Sequence, residues 1–402
     1  MSFVDGKRAI LLNRTQKNIP VTFRRDSIAY DQNFNPVPVN TPRFWTINGN
    51  TGLMIESSTT NLFSALDSQL VTATASSNQD LGFTVSTTGF ITASANSQFA
   101  VSSIIELLNT ITCTSFKLYL QCYDSVNTNL GQVNLTIINN PVLGSKFNYV
   151  GVGTTLANTA KVRVMGVAYG VKAGCIINLT FNQIENKKYA TSWALGGTTR
   201  AAETLTLDTS GLNLIEGTVE LEFIINDSFK DVTAPSHRIF YTGVTANTNI
   251  FSLRNTAGNF GAATSNDVSA ATSVTVASST MANGIHKASM GWKSGINSIL
   301  DLTIDGNSAG TTRTNPPLPS RKSDKIYIGS DAFGAQQADT IIKTVCLSKI
   351  YRSITERSAR SKLKSYPIDR AVTAYISLES NIQGVASIWI YLKQVEILQF
   401  YS

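Results

Sequence analysis

The feature that most constrains the fold of this chain is an alternation of apolar and polar residues with a period of two. It is clear at residues 116–122, 161–164, 177–182, 219–225 and 300–305, whereas helical periodicity is nearly absent. Because successive side chains of a β-strand point to opposite faces of a sheet, each run predicts a strand with one buried and one solvated face. Antiparallel sheets with this pattern pack face to face. The sequence therefore predicts an all-β fold of two tandem antiparallel β-sandwiches.

Turn and cap residues indicate where the strands are connected. Asn48-Gly49 and Asp305-Gly306 each follow a strand-like run. Such pairs favour tight hairpins, because both residues accept a positive φ. One helix of note is predicted over residues 356–364, short and basic, with Thr355 as its N-cap.

The length of 402 residues exceeds what one core comfortably supports, so several regions are expected. Residues 1–60 form an extended, basic N-terminal segment whose prolines oppose regular structure. Residues 61–200 form a first sandwich that ends in a linker-like, glycine-containing stretch at 196–202. Residues 203–352 form a second sandwich. Residues 353–402 form a β-rich tail that holds the basic helix and two apolar strand-like runs.

The formal net charge of +7 is unevenly distributed. Residues 1–25 carry six basic side chains against one acidic side chain, and residues 349–370 carry seven against two. Patches of this kind suit docking on an acidic protein surface. Neither patch interleaves aromatic residues at spacings that would stack bases, so we do not expect nucleic acid to be a partner.

Cysteine spacing predicts the state of the thiols, and hydropathy at the start of the chain bears on the site of synthesis. The four cysteines are Cys113, Cys122, Cys175 and Cys346. They lack paired CxxC spacing, and we expect them to be free and buried. No basic start followed by an apolar leader is present, so synthesis in a cytoplasm is expected. The most apolar stretch, residues 385–401, contains Lys393 and Glu396 and is too short to span a membrane.

Several segments resemble structural proteins of tailed bacteriophages. In order, they read VTFRRDSIAYD at 21–31, TPRF at 41–44, GLMIE at 52–56 and TNL at 60–62. Their order and spacing are similar to a segment common in those virion proteins. A second stretch, from NQIE at 182–185 to TTRAAE at 198–203, resembles the end of the carbohydrate-binding-module-like jelly roll of the same proteins.

The second predicted sandwich resembles a concanavalin A-like or laminin-G-like domain. The matching stretches are GTVELEF at 217–223, GIHKA at 284–288, LTIDG at 302–306 and IYIGS at 326–330. The resemblance implies a jelly roll followed by a lectin-like sandwich. Together the matches cover roughly the first 350 residues.

The resemblance implies a structural subunit of the virion, either a head or tail fibre or a capsid decoration. Other virion proteins (capsid, portal or collar, or tail) are the implied partners, and a homotrimer is expected because phage fibres are usually trimers. The apolar run 385–401 is expected to be buried, either against the second sandwich or between subunits. The residues expected to bind virion partners are Arg14, Arg24, Arg25, Arg43 and Glu56. Two alternatives remain open: a bacterial or prophage-encoded lectin-like adhesin, and a tailspike that depolymerises polysaccharide.

No set of residues predicts catalysis, and no cofactor is expected. The chain has two histidines, of which His237 is expected to be exposed in a loop and His286 to be structural. Glu220 and Glu222 resemble the carboxylate pair of a glycanase, but the third carboxylate of that strand face is missing. We therefore interpret both as part of a solvated strand face.

A glycan site in the second sandwich is the favoured binding hypothesis, because sugars stack on aromatic rings and bind fixed polar groups. The candidate ligand-binding residues are Tyr241, Asn249, Phe251, Arg254, Tyr327, Asp331 and Phe333. Host-surface polysaccharide is then the expected partner. Calcium would need several converging oxygen ligands, and no loop concentrates the aspartates, so no metal site is predicted.

Overall fold

The structure is a computed structural model in which two units are distinguished. It describes residues 21–63, 68–74, 77–80, 90–109, 113–231, 236–245, 248–332, 336–363, 365–366, 369, 371–378 and 389–391. The first sandwich consists of Asp26–Val39 and Ser58–Ala201. The second consists of the described parts of Met1–Arg25, Asn40–Ser57 and Ala202–Ser402.

The regular secondary structure of the described residues is almost entirely β-strand. In chain order the strands are β1 (Val21–Arg24), β2 (Ala29–Tyr30), β3 (Pro36–Val37), β4 (Phe44–Ile47), β5 (Asn50–Ile55), β6 (Thr59–Thr60), β7 (Ser68–Thr72), β8 (Ser77–Asp80), β9 (Ile91–Thr92), β10 (Gln98–Leu107), β11 (Ser115–Tyr123), β12 (Asn129–Asn139), β13 (Lys146–Thr154), β14 (Lys161–Val171), β15 (Ile176–Glu185), β16 (Thr199–Arg200), β17 (Thr204–Asp208), β18 (Glu216–Ile225), β19 (His237–Thr242), β20 (Phe251–Thr256), β21 (Asn259–Thr264), β22 (Thr272–Ala277), β23 (Gly284–Lys293), β24 (Ile299–Ile304), β25 (Asn307–Ser308), β26 (Arg313–Thr314), β27 (Lys325–Ile328), β28 (Thr340–Ser348), β29 (Val372–Ser377) and β30 (Trp389–Tyr391). A 3-10 turn covers Ser278–Thr280, and the helix α1 spans Ile354–Ser361.

The first sandwich has two antiparallel sheets. One has the order β13-β10-β15-β7, and the other has the order β12-β11-β14-β8 with β9 also paired to β14. The alternating side chains of β14 place Val162, Val164 and Ala168 in the core between the sheets. This is the half-buried pattern that the sequence predicts.

The second sandwich packs a seven-stranded sheet against a ten-stranded sheet. The seven-stranded sheet has the order β1-β17-β27-β19-β20-β21-β22. The ten-stranded sheet runs β25-β24-β23-β18-β28-β29-β30, with β26 on β24 and the β4–β5 hairpin on β28. Their shared core includes Phe251 and Trp292, whose ring centroids lie 4.4 Å apart. The predicted fold class, all-β with two antiparallel sandwiches, is confirmed.

Both predicted hairpin turns are confirmed. Asn48 and Gly49 have φ of 50° and 76°, and Asp305 and Gly306 have φ of 50° and 79°. The predicted helix is shifted toward the N-terminus. It begins at Ile354 because the Ser353 hydroxyl, rather than Thr355, accepts the hydrogen bond from the Glu356 N–H.

The described part of the predicted N-terminal segment is distributed between the two sandwiches. β1 pairs with β17 and β5 pairs with β28, so Phe23, Leu53 and Ile55 join the core of the second sandwich. The β2–β3 hairpin and β6 belong to the first sandwich. The segment is therefore built into the folded units over residues 21–60.

The outer face of β18 is covered, contrary to the prediction of a solvated face. Glu220 is fully buried and Glu222 is 7% exposed. α1 lies over this region, and the Arg360 guanidinium binds the Glu220 carboxylate with Nη2–Oε2 at 2.7 Å. Glu222 accepts from Lys343 Nζ at 2.9 Å. The interpretation of these two residues as solvated is wrong, because basic residues distant in sequence pair with both carboxylates.

Candidate functional site

The outer face of the seven-stranded sheet, turned away from the core, carries a concave site lined mainly by polar residues. Strand register places two rows of side chains across it. The first row consists of Tyr327, Tyr241, Ser252, Ala263 and Ser273. The second row consists of Arg238, Arg254, Gly261 and Thr275. Inward-facing Leu253 and Phe260 anchor the same strands in the core.

A trough runs over β20, β21 and β22 and encloses about 280 Å³. It is lined by Arg254, Thr256, Asn259, Gly261, Ala263, Ser273 and Thr275. The trough exists because the middle of β21 contributes only the small residues Gly261 and Ala263 to the outer face, while Arg254 and Thr275 on the neighbouring strands are larger. A Cβ on residue 261 would lie 2.5 Å from the Val274 carbonyl oxygen and 2.6 Å from Thr275 Cγ2. Glycine is thus required in the floor.

Two arginines border the trough in neighbouring strands. Arg238 and Arg254 are register partners, and Arg238 Cζ lies 4.2 Å above the centroid of the Tyr241 ring. Arg238 is buried, and its Nε and Nη1 have no hydrogen-bond partner among the described residues. Burial and then the charge of Arg238 lower the pKa of Arg254 below its ordinary value. The two guanidinium groups therefore form a cationic wall.

Two tyrosines and an aspartate continue the face beyond the arginines. The Tyr241 and Tyr327 ring centroids lie 6.3 Å apart, and the Tyr241 hydroxyl donates to the Thr245 carbonyl oxygen at 2.8 Å. Burial raises the pKa of both tyrosines, and the Asp331 carboxylate adds to this effect. Tyr327 is half-buried, so part of its ring is accessible to a ligand, whereas Tyr241 is fully buried.

Four of the seven residues predicted to bind glycan are brought together here: Tyr241, Arg254, Tyr327 and Asp331. Phe251 is not among them, because it faces inward and packs on Trp292 in the core. Asn249 is also buried, and its side chain is used within a loop. It donates to Asp267 Oδ1 at 2.5 Å and accepts from the Ser320 N–H at 2.8 Å. Phe333 lies outside the described residues.

Sequence reasoning missed Arg238 and the small and hydroxyl-bearing residues of β21 and β22. Strand alternation predicts part of the site from the sequence, because Arg254 shares a strand face with Ser252 and Thr256 but not with Phe251. The remaining information lies in cross-strand register, which pairs Arg238 with Arg254 and Gly261 with Thr275. Alternation alone does not specify that register.

The residues predicted to bind virion partners require a correction. Arg25, Arg43 and Glu56 are buried and form an ion-pair cluster with Glu203. They are unsuitable for docking because their charged groups face one another inside the second sandwich. Arg24 is exposed on β1, and Arg14 lies outside the described residues.

The basic patch predicted at residues 349–370 is also directed inward over much of its length. Arg352, Arg357 and Arg360 are buried, and each pairs with a carboxylate. Their partners are Asp369, Asp301 and Glu220, respectively. The charges of these three arginines are therefore balanced within the protein.

The two histidines differ in their surroundings. His237 is buried in β19, contrary to the prediction of an exposed loop residue, and its Nδ1 lies 3.0 Å from the Gln337 carbonyl oxygen. His286 Nδ1 lies 2.7 Å from Asp305 Oδ2. Neither histidine has a hydrogen bond to a serine or cysteine side chain among the described residues.

The described residues were also compared with the requirements of a metal site and of a membrane-spanning helix. Within them, no group of three or more histidine, cysteine, aspartate or glutamate side chains is arranged to hold a metal ion. No helix formed by these residues combines the length and apolarity needed to cross a bilayer. All four cysteines are buried thiols, as predicted.

Comparison with known proteins gives weak structural likenesses. No family profile and no curated protein matches the sequence. The chain is similar to the native heptameric SAP-like pentraxin from Limulus polyphemus, with 12% identity, a TM-score of 0.30, and 45% of this chain and 84% of that chain covered. It is also similar to domains LG4-5 of the mouse laminin alpha1 chain, with 12% identity, a TM-score of 0.26, and 75% and 92% covered. Likenesses at this level support no argument about function.

Proposed function

We propose that this chain is a non-enzymatic structural protein of a tailed-phage virion that adheres to a host-surface glycan through the trough of its second sandwich. The trough carries the adhesive part of the proposal. Its shape and lining are suited to a saccharide, because sugar rings need a shallow concave surface with hydrogen-bonding groups at fixed positions.

The polar groups of the trough are held on regular strands rather than on loops. Arg254, Asn259 and Thr275 project from three adjacent strands, so pairing of the strands fixes their spacing. The partly accessible ring of Tyr327 lies along the same face and offers a surface for stacking. Rigid placement of this kind lowers the entropic cost of binding.

A non-enzymatic role is supported by the state of the carboxylates that could catalyse glycoside cleavage. An acid and a base must flank the scissile bond in an open cleft. Glu220 and Glu222 instead lie buried in ion pairs with Arg360 and Lys343. Asp301 is similarly paired with Arg357.

Assignment to a virion rests on the sequence resemblance, and several of the stretches that carry it contribute to one buried cluster. Arg25, Arg43, Glu56 and Glu203 come from the VTFRR, TPRF, GLMIE and TTRAAE stretches. All four meet in one buried cluster. A protein would need all of these stretches to form the cluster, which supports treating them as one sequence signature.

A glycan array probed with matched variants tests the adhesive function. Thr275→Trp fills the trough from an exposed position on the edge strand β22. Thr22→Trp is the control, since Thr22 is an exposed threonine on the opposite edge strand of the same sheet. We expect the wild type and Thr22→Trp to bind the same glycans and Thr275→Trp to lose at least about 90% of the signal, because the added ring occupies the ligand volume.

Two outcomes would contradict the proposal. One is a wild-type protein that binds no glycan on an array that includes bacterial surface polysaccharides. The other is a correctly folded Thr275→Trp variant that binds as strongly as the wild type. Release of reducing sugar from any bound polysaccharide would overturn the non-enzymatic part.

A further inference from the structure

We infer that the trough selects acidic glycans, whose carboxylate or sulfate groups bind the Arg254 guanidinium beside a second, buried guanidinium, that of Arg238. The inference deepens the proposed adhesive function and rests on it. It concerns the chemical class of the ligand, which the shape of the trough alone leaves open.

Arg238 and Arg254 lie opposite each other on neighbouring strands. They are direct register partners on β19 and β20, and directly opposed side chains in antiparallel strands have Cβ atoms about 5 Å apart. Like charges in such a pair destabilise the sheet. An anion bound beside the two guanidinium groups would offset this repulsion.

Arg238 and Arg254 differ from buried arginines elsewhere in the second sandwich, which are paired with carboxylates. Arg43, Arg352, Arg357 and Arg360 each have a carboxylate oxygen within 4.0 Å. No described carboxylate lies within that distance of Arg238 or Arg254. Asp331 acts on the hydroxyls of Tyr241 and Tyr327, and the groups that influence Arg254 are Arg238 and Tyr241.

The burial of Arg238 strengthens its attraction for an anion. Arg238 is 5% exposed, and two of its three nitrogen atoms have no described hydrogen-bond partner. The remaining described partner of the Arg238 guanidinium is the uncharged Tyr241 side chain. A buried charged donor without an opposite charge is costly, and its attraction for an anion is strengthened by the low dielectric of its surroundings. The Ser252 hydroxyl, two positions before Arg254 on the same face, is also buried without a described partner. Three buried polar atoms without a described partner thus lie beside the trough.

The geometry of a guanidinium group matches that of a carboxylate or sulfate group. A planar guanidinium presents parallel N–H groups that bind carboxylate or sulfate oxygens in a bidentate manner. Arg254 lines the trough, so it contacts the ligand, while Arg238 behind it adds charge and is held in place by the Tyr241 ring. Hydroxyl-bearing Thr256, Ser273 and Thr275 then bind the remainder of the sugar.

The experiment uses the full-length protein and a panel of bacterial polysaccharides that contain uronic acid, sialic acid or sulfate. Each polymer is tested intact and after carboxyl reduction or desulfation, which removes the charge and keeps the backbone. We expect at least about tenfold weaker binding after neutralisation, measured by biolayer interferometry, and weakening of the intact complex by salt. Loss on carboxyl reduction alone identifies a carboxylate ligand, and loss on desulfation alone identifies a sulfate ligand.

Variants separate selectivity from folding. Arg254→Gln is expected to bind the intact and neutralised polymers equally, and Arg254→Lys to keep part of the preference because it keeps the charge. Arg321→Gln is the matched control, since Arg321 is an exposed arginine of the same sandwich, with its side chain 61% accessible. It should bind like the wild type. Arg238→Gln serves as a second test once circular dichroism shows a wild-type fold.

The possible results distinguish this inference from the proposed function. Equal binding of intact and neutralised polymers by the wild type, or an unchanged acidic preference in Arg254→Gln, overturns the acidic selectivity and leaves glycan adhesion standing. Absence of binding to every polymer overturns both.

Discussion

At the scale of single residues, the most constrained group of the second sandwich is the cluster of Arg25, Arg43, Glu56 and Glu203. Arg43 donates to Glu203 with Nη2–Oε2 at 2.7 Å and to Glu56 at 2.8 Å, and Arg25 Nη1 donates to Glu203 Oε1 at 2.9 Å. Burial by itself would lower the pKa of Arg43, but the two carboxylates raise it above its ordinary value. Glu203 is the centre of the cluster because it binds both arginines.

Removal of the Glu203 charge tests the importance of this cluster. Glu203→Gln leaves two buried guanidinium groups with one carboxylate, and we expect the free energy of unfolding to fall by about 3 kcal/mol or more. Urea denaturation followed by circular dichroism measures the change. Arg321→Gln, which removes an exposed ion pair, should cost less than about 1 kcal/mol. Equal effects of the two variants would show that the buried cluster is not a major source of stability.

A second residue-scale prediction concerns the pair of His286 and Asp305. The hydrogen bond with Asp305 raises the pKa of His286. Burial by itself would raise the pKa of Asp305, but hydrogen bonds from His286 and the Lys287 N–H lower it below its ordinary value. Because folding raises the pKa of His286, the stability that it contributes is complete at pH values below its pKa in the unfolded chain. That stability is lost as the pH rises through its pKa in the folded protein. Because folding lowers the pKa of Asp305, the stability that it contributes is present at pH values above its pKa in the unfolded chain. That stability is lost as the pH falls through its pKa in the folded protein. The pair should stabilise the fold most between about pH 4 and pH 6.5.

We expect His286→Gln to lower the melting temperature more at pH 5.5 than at pH 8.5. The pair is partly exposed, so the difference should correspond to no more than about 1 kcal/mol. Differential scanning calorimetry at the two pH values measures it. The same loss at both values would show that packing, rather than the charge pair, accounts for the effect.

At the scale of elements, α1 shows why a basic segment need not form a basic surface. Its eight residues place Arg357 and Arg360 on the side that faces the ten-stranded sheet, where they bind Asp301 and Glu220. The hydroxyl of Ser353 caps the N-terminus. Ion pairing thus accounts for much of the contact between this short helix and the sheet.

Replacement of one and then both members of the Arg360–Glu220 pair tests this account. Arg360→Met leaves a fully buried carboxylate without its main partner, and we expect a loss of about 3 kcal/mol in the free energy of unfolding. The double variant Arg360→Met with Glu220→Met should recover most of that loss, because buried ion pairs are often replaced by apolar residues at little cost. A double variant as unstable as the single one would indicate that packing of the helix, rather than the unpaired charge, dominates.

Elements that depend on local pattern were predictable from the sequence, and contacts between distant segments were not. β11, β15 and β24 follow from alternation, and the Asn48-Gly49 turn follows from its preference for positive φ. The burial of Glu220 depends on a helix more than 130 residues further along the chain. Nothing in the alternation of β18 distinguishes a strand face covered by such a helix from one in contact with water.

The candidate site illustrates the same division. Tyr241, Arg254 and Tyr327 were predicted as ligand-binding residues from their type and their closeness to strand ends. The trough itself depends on register, which sets Gly261 between Arg254 and Thr275. Arg238 was missed because its importance comes from its cross-strand partner.

At the scale of the whole molecule, the chain passes repeatedly between its two sandwiches. Residues 21–25 belong to the second, 26–39 to the first, 40–57 to the second again and 58–201 to the first, before the remainder completes the second. The described N-terminal residues are therefore integral to both folds. Attachment to a virion partner, if it uses this region, must involve the exposed surfaces of the sandwiches or residues before 21. The expected homotrimer stays a prediction, because most of the apolar run at 385–401 lies outside the described residues.

The first sandwich contains an aromatic cluster that is the main rival surface for sugar. Tyr30 packs edge-to-face on Trp193 with centroids 4.3 Å apart, and Phe34 stacks on Phe181 at 3.9 Å. These rings bind one another and thereby hold the β2–β3 hairpin on the first sandwich. We favour the trough because its polar groups border an open volume.

A structure of the full-length chain with the strongest glycan from the array is the most direct test of the central claim, that the second sandwich binds saccharide on the outer face of its seven-stranded sheet. The account predicts density for a sugar over Gly261 and Ala263, with an oxygen of the ligand within hydrogen-bond distance of the Arg254 guanidinium. Sugar density on the Tyr30–Trp193 cluster, or anywhere else with the trough left open, would contradict it.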